Sequence, residues 1–446
     1  MGLTTGVSFA YLGHDVVCVD VNEEKLRTLQ NGKAPFYEPH LEELLHLAKD
    51  NMSFTSDYRS SVGCSDVVFI AVGTPSGPTG APDLTGMQDV VHAIGAHLRG
   101  DFTLVVNKST APIGSGDWVD GLLKEVLVDA EGTSKSERFA VCSNPEFLRQ
   151  GSALEDIFYP DRVVVGSEKP EATEILRKLY APILQQSFSP PAFLPRPRDK
   201  TNVPFVATSL ASAELIKYAA NAFLSLKVSF INEIATLSEK VGADVSEVSK
   251  GIGLDRRIGP AFLKAGLGWG GSCFGKDSAA IVATAEEYGV KMPIITASRS
   301  VNYSQRKLVV DKLLSELKFL RSSKIGLLGL SFKPETDDLR DAPSLDIARL
   351  LIEKGAQVKA YDPVAMSNAA RENPDLDIHY CQDVEEVFKQ SDAVILVTEW
   401  SAFSDLPWES LGTLMKKRIV LDGRNVLDPA RLMAAGFKYI GMGKGS

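Results

Sequence analysis

The sequence predicts an α/β fold of two doubly wound, parallel-sheet lobes joined by a central helical domain that contains one long helix. Three observations predict it. In the first part of the chain, short β-branched runs alternate with amphipathic stretches, the pattern of strands joined by crossover helices. A proline-free stretch, SAELIKYAANAFLSLKVSFINEIATLSEKVG, then carries apolar residues at helical spacing. From about residue 321 the strand–helix alternation returns.

In order, HDVVCVD, DVVFIAVGTP, FTLVVNKST, RFAVCSNPEF and RVVVGS read as strands. LTTGVSFAYLGH reads as a helix closed by Gly13, and EPHLEELLHLAKD and LTGMQDVVHAIGAHL as helices. SFSPPAFLPRPRDKTNVPF, with five prolines and little periodicity, reads as a surface loop or insertion. DVSEVSKGIG continues the helical middle. KIGLLGLSF, QVKAYD, DAVILVT and RIVLDG are strands of the last lobe, and Pro343 to Glu353 suits a helix. These breaks place the domains at 1–200, 201–300 and 301–446.

The chain has 446 residues, 44% of them hydrophobic, and no apolar run of membrane-spanning length. A net charge of −9 argues against nucleic acid as a partner, although a local basic cluster could still bind a phosphorylated ligand. The five cysteines, Cys18, Cys64, Cys142, Cys273 and Cys381, are scattered, and no CxxC pair suggests a metal. A reduced, cytoplasmic setting is expected, with neither membrane nor metal involved.

HDVVCVD ends in Asp20 directly after a glycine-bearing helix. In a dinucleotide-binding βαβ unit an acid there bonds the adenosine ribose and favours NAD over NADP. Gly2 stands where the last glycine of G-x-G-x-x-G belongs, and the strand and two glycines before it are not in the chain. The expectation is that the sequence starts late, because that strand is central to the sheet. The plainer reading of Asp20 is a solvated turn residue. VGTP (Val72, Gly73, Thr74, Pro75) and NKSTAP (Asn107 to Pro112) follow strands, where open α/β sheets bind ligands, although ordinary turns would look the same.

GLGWGGSCFGKD (Gly266 to Asp277) is the most informative stretch. Its glycines let backbone approach a ligand, and a helix starting there would favour thiolate at Cys273. A lone cysteine is usually a small buried hydrophobe, which suits Cys18, Cys64 and Cys142. Lys217 and Asn221 lie at i, i+4 on an otherwise apolar helix, as a solvated patch or a pair of ligand-facing donors. Glu146 in SNPEF ends a strand, as an ordinary surface acid also could.

Together, FYEPHLEELL, VGTP, STAPIG, NPEFLRQGSA, SAELIKYAANAFLSLKVSFINEIA, GIGLDRRIGPAFLKAGLGWGGSCFGKD and GLSFKPETDDLRDAPS resemble the UDP-glucose/GDP-mannose dehydrogenase family over essentially the whole chain. RIGPAFLKAG is most similar to the UDP-glucose branch. The resemblance implies two Rossmann-like domains and oxidation of a sugar C6 alcohol to a carboxylate with two NAD. Cys273 would carry thiohemiacetal and thioester, Lys217 and Asn221 would stabilise the oxyanion, and Asp277 would orient or activate water with Lys217. Thr110 and Glu146 would hold that water and assist proton transfer. NAD would meet Gly2, Asp20, Lys25, Val72, Gly73, Thr74, Thr110 and Lys276.

On the same grounds, UDP-glucose would meet Phe147, Leu148, Phe262, Leu263, Lys264 and Gly270. Phe332, Lys333 and Arg340 would close the site, and Arg257 would reach the sugar from a second copy in a homodimer or larger oligomer. Two further departures from the family stand out. FGKD replaces the usual FPKD, so Gly275 loosens the loop, and Gln150 replaces a common Glu. Two other readings stay open: a catalytically idle nucleotide-sugar binder, and a dehydrogenase of GDP-mannose or UDP-N-acetylmannosamine.

Overall fold

The computed structural model describes residues 1–77, 80–99, 102–127 and 136–445. It divides into two compact units, Met1–Ala220 with Ala279–Tyr288, and Asn221–Ser278 with Gly289–Ser446.

In the first unit, strands Val67–Ile70, Thr103–Asn107, Phe139–Ser143, Val163–Gly166 and Phe205–Thr208 form one sheet in that order. The first three run parallel, so their carboxyl ends share one edge. Val163–Gly166 departs from the all-parallel expectation by pairing antiparallel with Phe139–Ser143 through Ser143 and Gly166. The reason is the connection. Its only helix, Ala153–Phe158, has six residues. That helix is about 9 Å long, too short to carry the chain back along a strand.

Val16–Val19 pairs only with Met52–Thr55, as a separate two-stranded sheet. The sheet of this unit is therefore in two pieces, each with an open edge, and Val17 is exposed. The helix Gly2–Tyr11 packs Val7 and Ala10 against Leu41, Leu44 and Phe158. The proline-rich stretch has no regular structure, but it is not a free surface loop. Phe188, Phe193 and Leu194 pack onto that same cluster. Tyr11 Oη donates to the Ser189 carbonyl at 3.1 Å and Tyr159 Oη to the Leu194 carbonyl at 2.9 Å. The segment is a strap over the first helix.

In the second unit six parallel strands run in the order Ile378–Tyr380, Gln357–Tyr361, Lys324–Leu328, Ala393–Leu396, Ile419–Asp422, Lys438–Gly441. Numbered along the chain this is 3-2-1-4-5-6, the doubly wound order. Alternate residues feed opposite faces: Ile325, Leu327 and Ile395 lie in one core, Leu328, Val394 and Leu396 in the other. The helical middle consists of Leu210–Val241, Val245–Gly253, Phe274–Glu287 and Pro293–Leu317. Leu210–Val241 has 32 residues and no internal proline. Asp244 starts the next helix by accepting the Ser246 amide at 2.7 Å.

Candidate active site

Three neighbouring strands of the first unit end at Ile70, Asn107 and Ser143. Their register brings the loops Val72–Pro75, Lys108–Pro112 and Asn144–Leu148 to one edge of the sheet. Ser109 ties the first two together, its Oγ accepting the Val72 amide at 2.9 Å. Thr74 Oγ1 donates to the Thr110 carbonyl at 2.5 Å. Gly73 lies between these anchors.

Glu146 is buried, yet Lys217 Nζ donates to its Oε1 at 3.0 Å and the Leu148 amide to its Oε2 at 2.5 Å. Burial alone would raise its pKa, but the Lys217 charge, the Leu148 amide and the Lys108 charge together bring it below the ordinary range. Phe147 lies under two cations, with the Arg162 guanidinium 3.7 Å and Lys217 Nζ 5.4 Å from its ring centre.

At the start of the unit, a Cβ on Gly2 would lie 3.1 Å from Ala71 Cβ, so a glycine allows the helix to start this close to the strand end. That helix has no acid in its first turn. Asp20 follows Val16–Val19 with a part-exposed carboxylate that accepts the Asn22 amide at 2.9 Å and faces Lys25 at 3.9 Å. A carboxylate at a strand end that can accept ribose hydroxyls, and a glycine that lets the helix approach the neighbouring strand end, fit the adenosine end of NAD.

In the second unit, Cys273 directly precedes the helix Phe274–Glu287. Asp277, one turn on, is 1% exposed, and its amide donates to the Cys273 carbonyl at 2.8 Å. Its Oδ2 accepts from Asn221 Nδ2 at 2.6 Å and its Oδ1 faces Lys276 Nζ at 2.8 Å. Asp277, one turn beyond Cys273, is thus tied to Asn221 on the helix Leu210–Val241. Arg340, anchored by Asp338 at 2.7 Å, also lies in electrostatic reach of Cys273. A cation and a helix start both favour the thiolate. By contrast, burial pushes Cys18 up to about 12 and Cys142 and Cys381 up to about 11, so these thiols are inert. Cys64 is exposed and not in the buried setting expected of it.

The loop before Cys273 is fixed from several sides. Asn232 Oδ1 accepts the Gly266 amide at 2.8 Å, and Asn302 both accepts the Trp269 amide at 2.7 Å and donates to its carbonyl at 3.0 Å. Gly271 has φ +88°, with the Phe332 ring 2.7 Å from where a Cβ would be. A Cβ at Gly270 would overlap the Asp341 carbonyl. Lys333 Nζ lies 5.8 Å from the Phe332 ring centre. Phe262 has φ 63° and meets Phe274 at 6.1 Å, Leu263 is buried and Lys264 exposed. Arg257 is 84% exposed and paired with Asp255.

Gly275 has a local reason, because a Cβ there would lie 2.8 Å from Asp341 Oδ2. Arg299 replaces proline's rigidity by donating to the Gly275 carbonyl at 2.6 Å.

Sequence reasoning missed several supporting residues. Glu214 accepts the Gly114 and Gly116 amides at 2.7 and 2.8 Å and Ser143 Oγ at 2.9 Å, anchoring the helix that carries Lys217. Asn232, Asn302 and Arg306 are buried polar residues on helices, and only Asn232, set in the apolar periodicity of Leu210–Val241, carried a signal that could have found it. Arg306 donates to the Trp269 and Asp341 carbonyls, both at 3.2 Å. Away from these groups, His379, Cys381 and Glu386 are within metal-ligand reach of one another among the described residues. Glu386 already binds His379 at 2.8 Å and the Gln382 amide at 2.9 Å, and so completes a helix cap.

Two nucleotide-type α/β units, one with an acid after its first strand and the other with a cysteine at a helix start, define a dinucleotide-dependent dehydrogenase. The models of the UDP-glucose/GDP-mannose dehydrogenase family match throughout: the NAD binding domain over residues 1–184, the central domain over 211–304 and the UDP binding domain over 326–429. The chain belongs to this family. It is 41% identical to a UDP-glucose 6-dehydrogenase of Bacillus subtilis, over 100% of this chain and 91% of that protein. It is 42% identical to one of Rhizobium meliloti, over 100% and 97%. A solved UDP-glucose dehydrogenase from Pyrobaculum islandicum superposes with a TM-score of 0.87 at 37% identity, over 100% of this chain and 95% of that one. NAD is the cofactor of the family's first domain.

Proposed function

We propose that the chain oxidises UDP-glucose to UDP-glucuronate through a covalent intermediate on Cys273. The observation that carries this reading is the Asn221–Asp277 hydrogen bond of 2.6 Å one turn beyond Cys273. NAD, when bound, supplies the hydride acceptor for both oxidations. Gly2, Asp20, Lys25, Val72, Gly73, Thr74, Thr110 and Lys276 hold it.

The C6 alcohol becomes an aldehyde by giving up a hydride to the acceptor and its hydroxyl proton to a base, and Cys273 adds to that aldehyde as thiolate, because sulfur can attack a carbonyl and later leave. Lys217 and Asn221 supply donors to the oxygen that becomes negative. The resulting thiohemiacetal is oxidised to a thioester, and water, with its proton taken by Glu146 or Asp277, releases the carboxylate. Thr110 orients that water. Phe147, Leu148, Phe262, Leu263, Gly270 and Phe332 bound the substrate, while Lys264, Lys333 and Arg340 offset its phosphate charge. Arg257, exposed in one chain, fits a role in a second copy's site.

A homodimer or larger homo-oligomer belongs to this reading. Phe223, Phe230 and Leu237 recur every seven residues along Leu210–Val241 and are 62%, 47% and 57% exposed. A cytoplasmic setting is part of it too. None of the described helices is long and apolar enough to cross a membrane, and the cysteines form no disulfide.

The test is the initial rate of NAD reduction across a panel of UDP-glucose, GDP-mannose and UDP-N-acetylmannosamine. Two NADH per UDP-glucuronate formed, with the other sugars slow, is the expected result. Oxidation of UDP-N-acetylmannosamine with UDP-glucose ignored sinks the substrate assignment. No turnover with any sugar, although UDP-glucose binds, identifies an idle binder.

A further inference from the structure

Lys108 is fully buried, and among the described residues its ammonium contacts no carboxylate. Nζ donates to Asn144 Oδ1 at 3.0 Å and Tyr180 Oη at 3.3 Å, with the Asn144 carbonyl at 3.5 Å. The sheet sets this geometry. Asn107 and Ser143 are register partners, and Lys108 and Asn144 come next on their strands. A buried ammonium facing only neutral acceptors is an expensive arrangement. Hydrogen bonding alone does not account for it. Asn144 Oδ1 already accepts from Tyr180 Oη at 2.6 Å, and the Asn144 amide groups are bound to Asn107 and Val164 carbonyls at 2.8 Å.

The charge does have an addressee. Glu146 stands two residues beyond Asn144, the residue that holds Lys108, and is itself bound by Lys217 at 3.0 Å, so the three charges gather at one strand edge and each bears on the others' ionisation. The proposed reaction asks two things of Lys217, to hold Glu146 and to stabilise the sugar oxyanion. When Lys217 turns to the oxyanion, Glu146 needs a second cation to stay ionised. We propose that Lys108 is a positioning residue for this reaction, keeping Glu146 a carboxylate without touching substrate or cofactor.

The proposal rests on the function proposed above. The charged and titratable groups around Lys108 are Tyr180 at the end of Pro170–Leu179, Glu146 after Phe139–Ser143, and Lys217 on Leu210–Val241. Arg162 is stacked on the ring of Phe147, the residue after Glu146. Burial brings the Lys108 ammonium down to about 8, opposed by Glu146 and assisted by Lys217. Between about pH 8 and the ordinary lysine range the unfolded chain therefore holds a proton that the folded chain has lost, so stability rises with pH there.

The experiment compares wild type, Lys108→Met and Lys108→Arg in the pH profile of kcat with UDP-glucose, in KM, and in melting temperature from pH 6 to about 10. In Lys108→Met, kcat falls about tenfold, both KM values stay within about threefold, and the acid limb moves up by about one pH unit. Lys108→Arg restores the limb. The alkaline rise in melting temperature is lost in Lys108→Met, which is no less stable than wild type at pH 7.

An acid limb of Lys108→Met that coincides with wild type overturns the proposal, whatever happens to kcat. So does a melting temperature that falls together with kcat. Failure of both Lys108→Met and Lys108→Gln to fold assigns the lysine to the fold and overturns it equally. A wild type that melts cooperatively but never turns over refutes the proposed function instead, and the alkaline rise in melting temperature still tests whether Lys108 is charged.

Discussion

Cys273 differs from the other cysteines in surroundings, not in kind. It lies at a helix start near Arg340, whereas Cys142 lies in a fully buried strand. Cys273→Ser should lower the rate of UDP-glucuronate formation by on the order of a thousandfold, because an alkoxide leaves far less readily than a thiolate. Binding of UDP-glucose, followed by calorimetry, should change by no more than a few-fold. Glu146 gives a pH prediction. Its carboxyl is held below the ordinary value, so its contribution to stability is complete above the unfolded-state range and lost as pH falls through the folded value. Glu146→Gln leaves Lys217 buried beside a neutral group and should cost about 3–5 kcal/mol at pH 7 by chemical denaturation. That deficit should shrink below about pH 4.

At the scale of elements, the thiol loop is held by helix residues more than by its own sequence. Asn302, on Pro293–Leu317, bonds both the amide and the carbonyl of Trp269. Asn302→Ala removes both bonds from a buried site and should cost about 1–3 kcal/mol. It should also lower kcat more than it raises KM, because the loop ends at Cys273. Steady-state kinetics with UDP-glucose, alongside a denaturant midpoint, checks both parts. The antiparallel Val163–Gly166 strand and the proline-rich strap belong to this scale too. The strand's direction is set by its short connection and the strap by packing onto the first helix, and neither follows from local propensity.

For the whole molecule, both units carry cores of their own. The exposed Phe223, Phe230 and Leu237 stripe lies in the second unit. Phe230→Asp puts a charge in the middle of that stripe and should shift sedimentation toward a slower species. A mass unchanged from wild type removes this face from the assembly.

Much of this was legible in the chain. Pro343–Glu353 forms its helix at the expected bounds, and Val16–Val19, Thr103–Asn107 and Lys324–Leu328 lie inside the expected strands. Met52–Thr55 and Ile378–Tyr380 went unread because runs of four and three residues, each interrupted by polar side chains, carry too little periodicity. Pro293–Leu317 went unread because polar residues such as Asn302, Gln305 and Arg306 occupy its buried face.

By itself the sequence determined the α/β plan, the glycine-rich loop with its single cysteine, and the i, i+4 spacing of Lys217 and Asn221, because periodicity and spacing are properties of the chain. Only the tertiary structure decided that Glu146 meets Lys217 and that Asn221 meets Asp277. It also decided that Lys108 is buried among neutral partners. The residues of those contacts lie up to 72 positions apart, and strand register and helix packing bring them together where sequence spacing says nothing.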